Sequence, residues 1–149
     1  MAVRPHVRFT IYDEVALFVH QATGTTFQEV LQIQQLIYRA LAITGLFLIG
    51  RAAGLNTVLS LTVAALVSLG ATVNGPQVLT VEYEPVPRGF AFSLVLFALG
   101  LLVTGRSRWA AAASALAFAY HPPTAAPVFA IVAAMSSRRE LPILAIGPL

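Results

Sequence analysis

The sequence predicts an all-α integral membrane protein, a polytopic helix bundle of about four to five transmembrane or half-spanning helices, incomplete at both ends. Composition is the first reason. Of 149 residues, 10% are charged and 58% are hydrophobic, whereas a domain surrounded by water draws about 25% of its residues from the charged set. Mean hydropathy of +0.81 is the second. The third is the recurrence of apolar runs separated by turns that carry Arg, Gly or Pro. Together these leave little room for a disordered chain or a nucleic-acid module. The absence of cysteine excludes disulfides, thiolate nucleophiles and Cys-ligated zinc. The polar opening Met1 to Arg8, followed by Asp13 and Glu14, does not read as a secretory signal.

Residues 1–25 read as an outer-side amphipathic or loop segment, and 26–135 as a transmembrane bundle with helices at 26–50, 55–73, 87–104, 109–120 and 124–136. The first helix opens on a capping box, Thr26 with Glu29 three residues on, and runs free of proline to Gly50. That is roughly 36 Å of helix, enough for a hydrocarbon core of about 30 Å. The second closes at the Asn74-Gly75-Pro76 turn, and the third follows Val86 and Pro87. After Trp109, the run breaks at His121-Pro122-Pro123. Two prolines inside one helix would each cost about 3 kcal/mol, so two short helices are expected, with Thr124 capping the second and Pro127 in its first turn. Residues 137–149 read as a cytoplasmic turn and the start of a truncated further span, as in a fragment of a larger parent chain.

Charge sets an orientation. Alternating helices place Arg51, Arg106, Arg108, Arg138 and Arg139 on one side, which the positive-inside rule makes cytoplasmic in a multi-pass protein of the inner (cytoplasmic) membrane. The other side receives Asp13, Glu14, Glu82, Glu84, Arg88 and His121.

Several of these residues carry chemistry. Gln28, Gln32, Gln35 and Arg39 form a polar stripe on the first spanning helix, and Arg39, deep in the bilayer, must face protein or a wet cavity unless its side chain snorkels. In the loop before the third helix, Glu82 is placed to deprotonate a hydroxyl or hold a divalent cation, with Glu84 as its second-tier neighbour, and Arg88 to hold a phosphate by a forked contact. The bland alternative is that both acids solvate the loop. His121 and the helix start at Thr124 form an outer-side anion site suited to pyrophosphate, or His121 simply bonds a neighbouring loop. Asp13 and Glu14 either join Glu82 or favour the first turn of a local helix. No His, Asp or Glu spacing forms a metal motif. Ser60, Ala64 and Ser68, four apart, allow helices to approach closely.

Four stretches carry a family resemblance: the helix from Phe27 ending in Gly50-Arg51-Ala52-Ala53-Gly54; Glu84-Pro85-Val86-Pro87-Arg88-Gly89 ahead of a short span; Gly105-Arg106 before Trp109; and Ala119-Tyr120-His121-Pro122-Pro123-Thr124 running on to Pro127. Over roughly residues 26–135 their order resembles the multi-spanning (GT-C-type) lipid-sugar-dependent glycosyltransferases of bacteria. The resemblance implies a transferase fragment that moves a sugar from a polyprenyl-phosphate carrier to an acceptor on the outer face. Asp13, Glu14 or Glu82 would be the catalytic base; Arg88, His121, Thr124 and Arg39 would hold the carrier phosphate, with a divalent cation, Mg or Mn, optional. Expected partners are the bilayer, the lipid-linked sugar and the remaining helices of the parent chain or a partner subunit, and no nucleic acid. The family's usual first span before the acidic loop is missing here. Two other readings stand beside it: a transporter or channel module with Arg39 on the path, and a non-catalytic structural membrane subunit.

Overall fold

A computed structural model describes residues 11–69, 72–73, 78–79 and 85–135. Among the described residues six helices follow one another: α1 (Tyr12–Thr23), α2 (Phe27–Ala52), α3 (Thr57–Ser68), α4 (Pro87–Val103), α5 (Ser107–Tyr120) and α6 (Pro122–Met135). Between α3 and α4 lie two two-residue strands, β1 (Thr72–Val73) and β2 (Val78–Leu79), paired antiparallel with Thr72 opposite Leu79.

Local chemistry sets most helix ends. Thr26 accepts from the Glu29 amide at 3.3 Å while the Glu29 carboxylate accepts from the Thr26 amide at 2.9 Å, so both halves of the capping box are present. The Asn56 side chain caps α3 by accepting from the Leu59 amide at 2.9 Å. Pro87 begins α4, where a missing N–H costs nothing because no intrahelical acceptor exists for it. His121, extended at φ −156° and ψ 91°, separates α5 from α6. Between α1 and α2 the chain reverses through Gly24 at φ 72°, a left-handed conformation that a Cβ disfavours.

Helix α4 is the hub, packed against α2, α5 and α6, while α3 packs on the far side of α2 and α1 lies across α2. The core joins Phe90, Leu94 and Leu101 of α4 to Ala110 and Ala117 of α5 and Val132 of α6. Alanine on α5 loses no rotamer entropy and lets its backbone close on α4. Where α2 crosses α4 the approach is closer still. A Cβ on Gly100 would lie 2.5 Å from the Gly45 carbonyl oxygen, and one on Gly45 would fall inside the Leu96 carbonyl. Gly50 packs less tightly on Ser60 of α3, whose Oγ would lie 3.0 Å from an added Cβ, with Ser60 and Ala64 the buried residues of α3.

These helices overturn the polytopic membrane bundle. Among the described residues α2 alone, at 26 residues, is long and apolar enough to cross a membrane. Helix α3 has 12 residues, α4 has 17, and α5 and α6 have 14 each; at the α-helical rise these reach about 18 to 26 Å, short of a core of about 30 Å. The apolar run after Leu55 does not continue as helix to Val73: α3 ends at Ser68, and Thr72 and Val73 pair as strand. The apolar faces of α4, α5 and α6 are spent on one another, where four to five lipid-solvated spans were expected. With the spans go the multi-pass inner-membrane placement, the cytoplasmic assignment of Arg51, Arg106 and Arg108, and the bilayer as partner. The described helices pack on one another around a shared core. Arg138, Arg139 and the expected further span at 137–149 lie outside the described residues.

The α2–α4 crossing has a direct test. Gly100→Ala raises helix propensity by about 1 kcal/mol, yet its methyl meets backbone that cannot yield, and overpacking of this kind costs about 1–3 kcal/mol. Chemical denaturation of the variant is expected to show a lowered midpoint; an unchanged or raised midpoint refutes the contact.

Candidate functional site: an apolar groove and a polar end

One face of α2 presents Val30, Ile33, Gln34, Ile37, Tyr38 and Leu41, spaced three and four apart so that they share one side of the helix. They floor a half-open groove of about 470 Å³. Val19 and Thr23 of α1 and Thr25 of the connecting turn form one wall; Leu94 of α4 and Leu116 of α5 form the other. From Val30 to Leu41 the floor runs about 16 Å at the α-helical rise. Among the described residues no lining residue is charged.

Gln34 is the exception to the apolar floor. It is only 9% exposed, and its Oε1 has no hydrogen-bond partner among the described residues. A buried acceptor left unmet costs about 1–3 kcal/mol, so this amide is a liability to the fold.

The corner above it is rigidly bonded. Thr23 Oγ1 donates to the Val19 carbonyl at 2.7 Å. Its single proton is thereby spent, and the 2.7 Å contact between Thr23 Oγ1 and Thr25 Oγ1 takes its proton from Thr25. His20 Nδ1 bonds the Thr25 carbonyl, which only accepts, so Nδ1 carries the hydrogen.

Tyr38 links the groove to a second, more polar region. Its ring stacks on Phe90 at 4.8 Å and 17°, and meets Tyr120 edge-on at 5.4 Å; Tyr12 packs on Phe90 at 5.6 Å. The phenols of Tyr38 and Tyr120 share a hydrogen bond; burial raises the pKa of both hydroxyls, and for Tyr120 that bond raises it further. Tyr12 donates to the Pro85 carbonyl, and the Ile11 amide to the Ala119 carbonyl at 3.2 Å, fastening the start of α1 to the ends of α4 and α5.

Several residues predicted from the sequence gather at this end. His121 Nδ1 lies 2.7 Å from Thr124 Oγ1, and the His121 pKa is lowered by burial and by the charge of Arg88. Asp13 stands next to Tyr12 in the first turn of α1, its charge raising the Tyr12 pKa after the larger effect of burial. Glu14 points to solvent beside it. Arg39 is half-buried one residue beyond Tyr38. Glu82 and Glu84 lie outside the described residues. Among the described residues no three His, Asp or Glu side chains gather as a metal site.

The sequence reading missed Gln34. Its polar stripe, Gln28, Gln32, Gln35 and Arg39, runs on a more exposed face, with Gln28 and Gln32 open to solvent. The signal was available: one glutamine at a core-facing position of the 30, 33, 34, 37, 38, 41 pattern.

No protein-family model, curated protein or solved structure matches this chain. The glycosyltransferase resemblance is therefore corrected: no family match supports its short motifs, and the helices beneath them form one packed bundle with a single span-length member. The transferase function, the polyprenyl-phosphate-linked sugar and the transporter and membrane-subunit alternatives fall with the multi-span architecture that they required.

The His121 shift fixes a pH dependence. The unfolded side chain takes up its proton near pH 6.5, and the folded one only at lower pH. Stability from this residue is thus complete above about pH 6.5 and declines as the pH falls toward the lower folded value. Denaturation midpoints compared at pH 7.5 and 5 should drop less in His121→Gln than in the unsubstituted chain; equal drops refute the assignment.

Proposed function

We propose that this chain is a small-molecule binding protein that holds an apolar ligand in the groove between α1 and α2. The observation that carries the reading is the groove itself: about 470 Å³, walled by aliphatic side chains and an aromatic ring, with a buried glutamine in its floor. Binding pockets for small organic molecules occupy roughly 300–1,000 Å³ and combine apolar walls with a few polar groups that orient the ligand. Filling the groove removes apolar wall from water at about 25 cal/mol per Å². A ligand also stabilises the fold by mass action.

The groove offers binding rather than chemistry. Among the described residues its walls bring no carboxylate, imidazole, thiol or cation to the ligand, and the polar groups of the Tyr12–His121 end bond mainly to one another and to backbone.

N-Phenyl-1-naphthylamine, a neutral probe that fluoresces in apolar surroundings, should bind the purified protein at one saturable site. Leu116→Trp, which narrows the wall, is expected to weaken that binding at least tenfold, and Leu66→Trp on the outward side of α3 to leave it unchanged. Equal affinity in the unsubstituted chain and Leu116→Trp would remove the groove as the site.

A further inference from the structure

We infer that two copies of this chain pair through the outward face of α3, with the two helices antiparallel about a two-fold axis. The inference stands apart from the groove, which lies among α1, α2, α4 and α5.

Helix α3 is covered on one side only. Ser60 and Ala64, four apart, are its buried residues, and Ser60 meets Gly50 of α2. At about 100° per residue the opposite side carries Val58, Leu59, Thr62, Ala65, Leu66 and Leu69. All six are exposed, Val58, Leu66 and Leu69 by 71%, 62% and 72%. Leu69 keeps helical φ −69° and ψ −13°, so it continues the same face past Ser68. Within this set Val58, Thr62, Ala65 and Leu69 follow the alternating four- and three-residue spacing of a seam between two packed helices. Thr62 does not spoil it, because its hydroxyl donates to the Val58 carbonyl at 2.9 Å and asks nothing of a partner.

Size and charge name the occupant. With Leu61 and Val63 on its flanks the face offers roughly 700 Å², where the largest apolar patch of a monomer is about 300–600 Å² and a stable dimer buries about 600–1,000 Å² on each partner. No residue from Leu55 to Leu69 is charged, so the face calls for no partner of opposite charge and is complementary to itself, as a two-fold contact requires. The other exposed rings lack this property: Phe18 shares its helix face with Glu14, and Trp109 follows Arg108. The face is bare as soon as the bundle folds, and a second copy is the partner made beside it in equal amount.

Arg51 sets the direction. Its guanidinium donates to the Leu55 carbonyl at 2.8 Å, which holds its charge near the start of α3. Parallel pairing would put two such charges and two positive helix ends together. Antiparallel pairing separates them by the length of α3, about 18 Å, well beyond a screening length of about 8 Å. It sets Val58 opposite Leu69 and Thr62 opposite Ala65.

In micromolar solution the sedimentation-equilibrium mass of the purified chain should be twice 15.8 kDa. Leu66→Glu buries a charge in the contact and should weaken the dimer about a hundredfold while leaving the helical circular dichroism unchanged; Trp109→Glu, away from α3, should stay dimeric. Because the chain has no cysteine, Val58→Cys and Leu69→Cys proteins mixed and mildly oxidised report the direction: a disulfide between the two variants is expected, and disulfides within each variant alone overturn the antiparallel arrangement. A monomeric unsubstituted chain overturns the pairing, and pelleting of that monomer with phosphatidylcholine vesicles would assign the face to lipid instead. A dimer that Leu66→Glu leaves intact overturns the role of α3.

Discussion

The fold depends on two helices touching backbone to backbone. At Gly45 and Gly100 neither α2 nor α4 has a side chain to hold the other off, and a Cβ on Gly100 would stand 2.5 Å from the opposing carbonyl oxygen. Close-packed interiors do not absorb such an intrusion. That contact sets the rotation of α2 about its axis, and so decides which residues turn toward α4. Tyr38 comes to stack on Phe90, and Val30, Gln34 and Leu41 come to face the space beside Leu94. The groove exists because α2 and α4 meet at Gly45 and α1 crosses α2 well before that point, leaving the intervening turns of α2 incompletely covered.

The two polar regions around this groove differ in how fully they are paired. At the Tyr12–His121 end, phenols, imidazole and threonine hydroxyl find one another or a backbone carbonyl, and low local dielectric strengthens those bonds. That end fastens α1 to α4 and α5. On the groove floor, Gln34 Oε1 stays unmet although the side chain is nine-tenths buried. An isoleucine or leucine there would be less costly to the fold. Tyr38, which belongs to both regions, ties the groove floor to the bonded end.

The membrane expectation followed from treating apolar content as a measure of lipid contact. Composition does not tell a helix solvated by lipid from one covered by its neighbours, and α4 is of the second kind, with Phe90, Leu94, Ala98 and Leu101 all buried in the bundle. Helix α3 is different again. It carries no charge in its first or last turn, packs through Ser60 and Ala64, and leaves Val58, Leu61 and Leu66 exposed. Reading α3 as a full span also required the helix to run on past Ser68, where the chain instead turns at Leu69.

What the sequence by itself determined was local. The Thr26–Glu29 capping box, the left-handed turn at Gly24, the proline start of α4 and the break at His121 are each settled by a few neighbouring residues, whose hydrogen bonds and φ preferences need no distant partner. Small residues at Ser60 and Ala64 likewise marked a close packing face before its partner was known. Tertiary structure decided the rest, because it turns on which helix face meets which. Gln34 and Gln35 are neighbours in sequence and alike in chemistry, yet the successive residues point about 100° apart around α2, and of the two only Gln34 is buried and lines the groove. The approach of Arg88 to His121 and the joining of Tyr38 to Tyr120 depend in the same way on contacts between residues far apart in the chain, which local spacing does not encode.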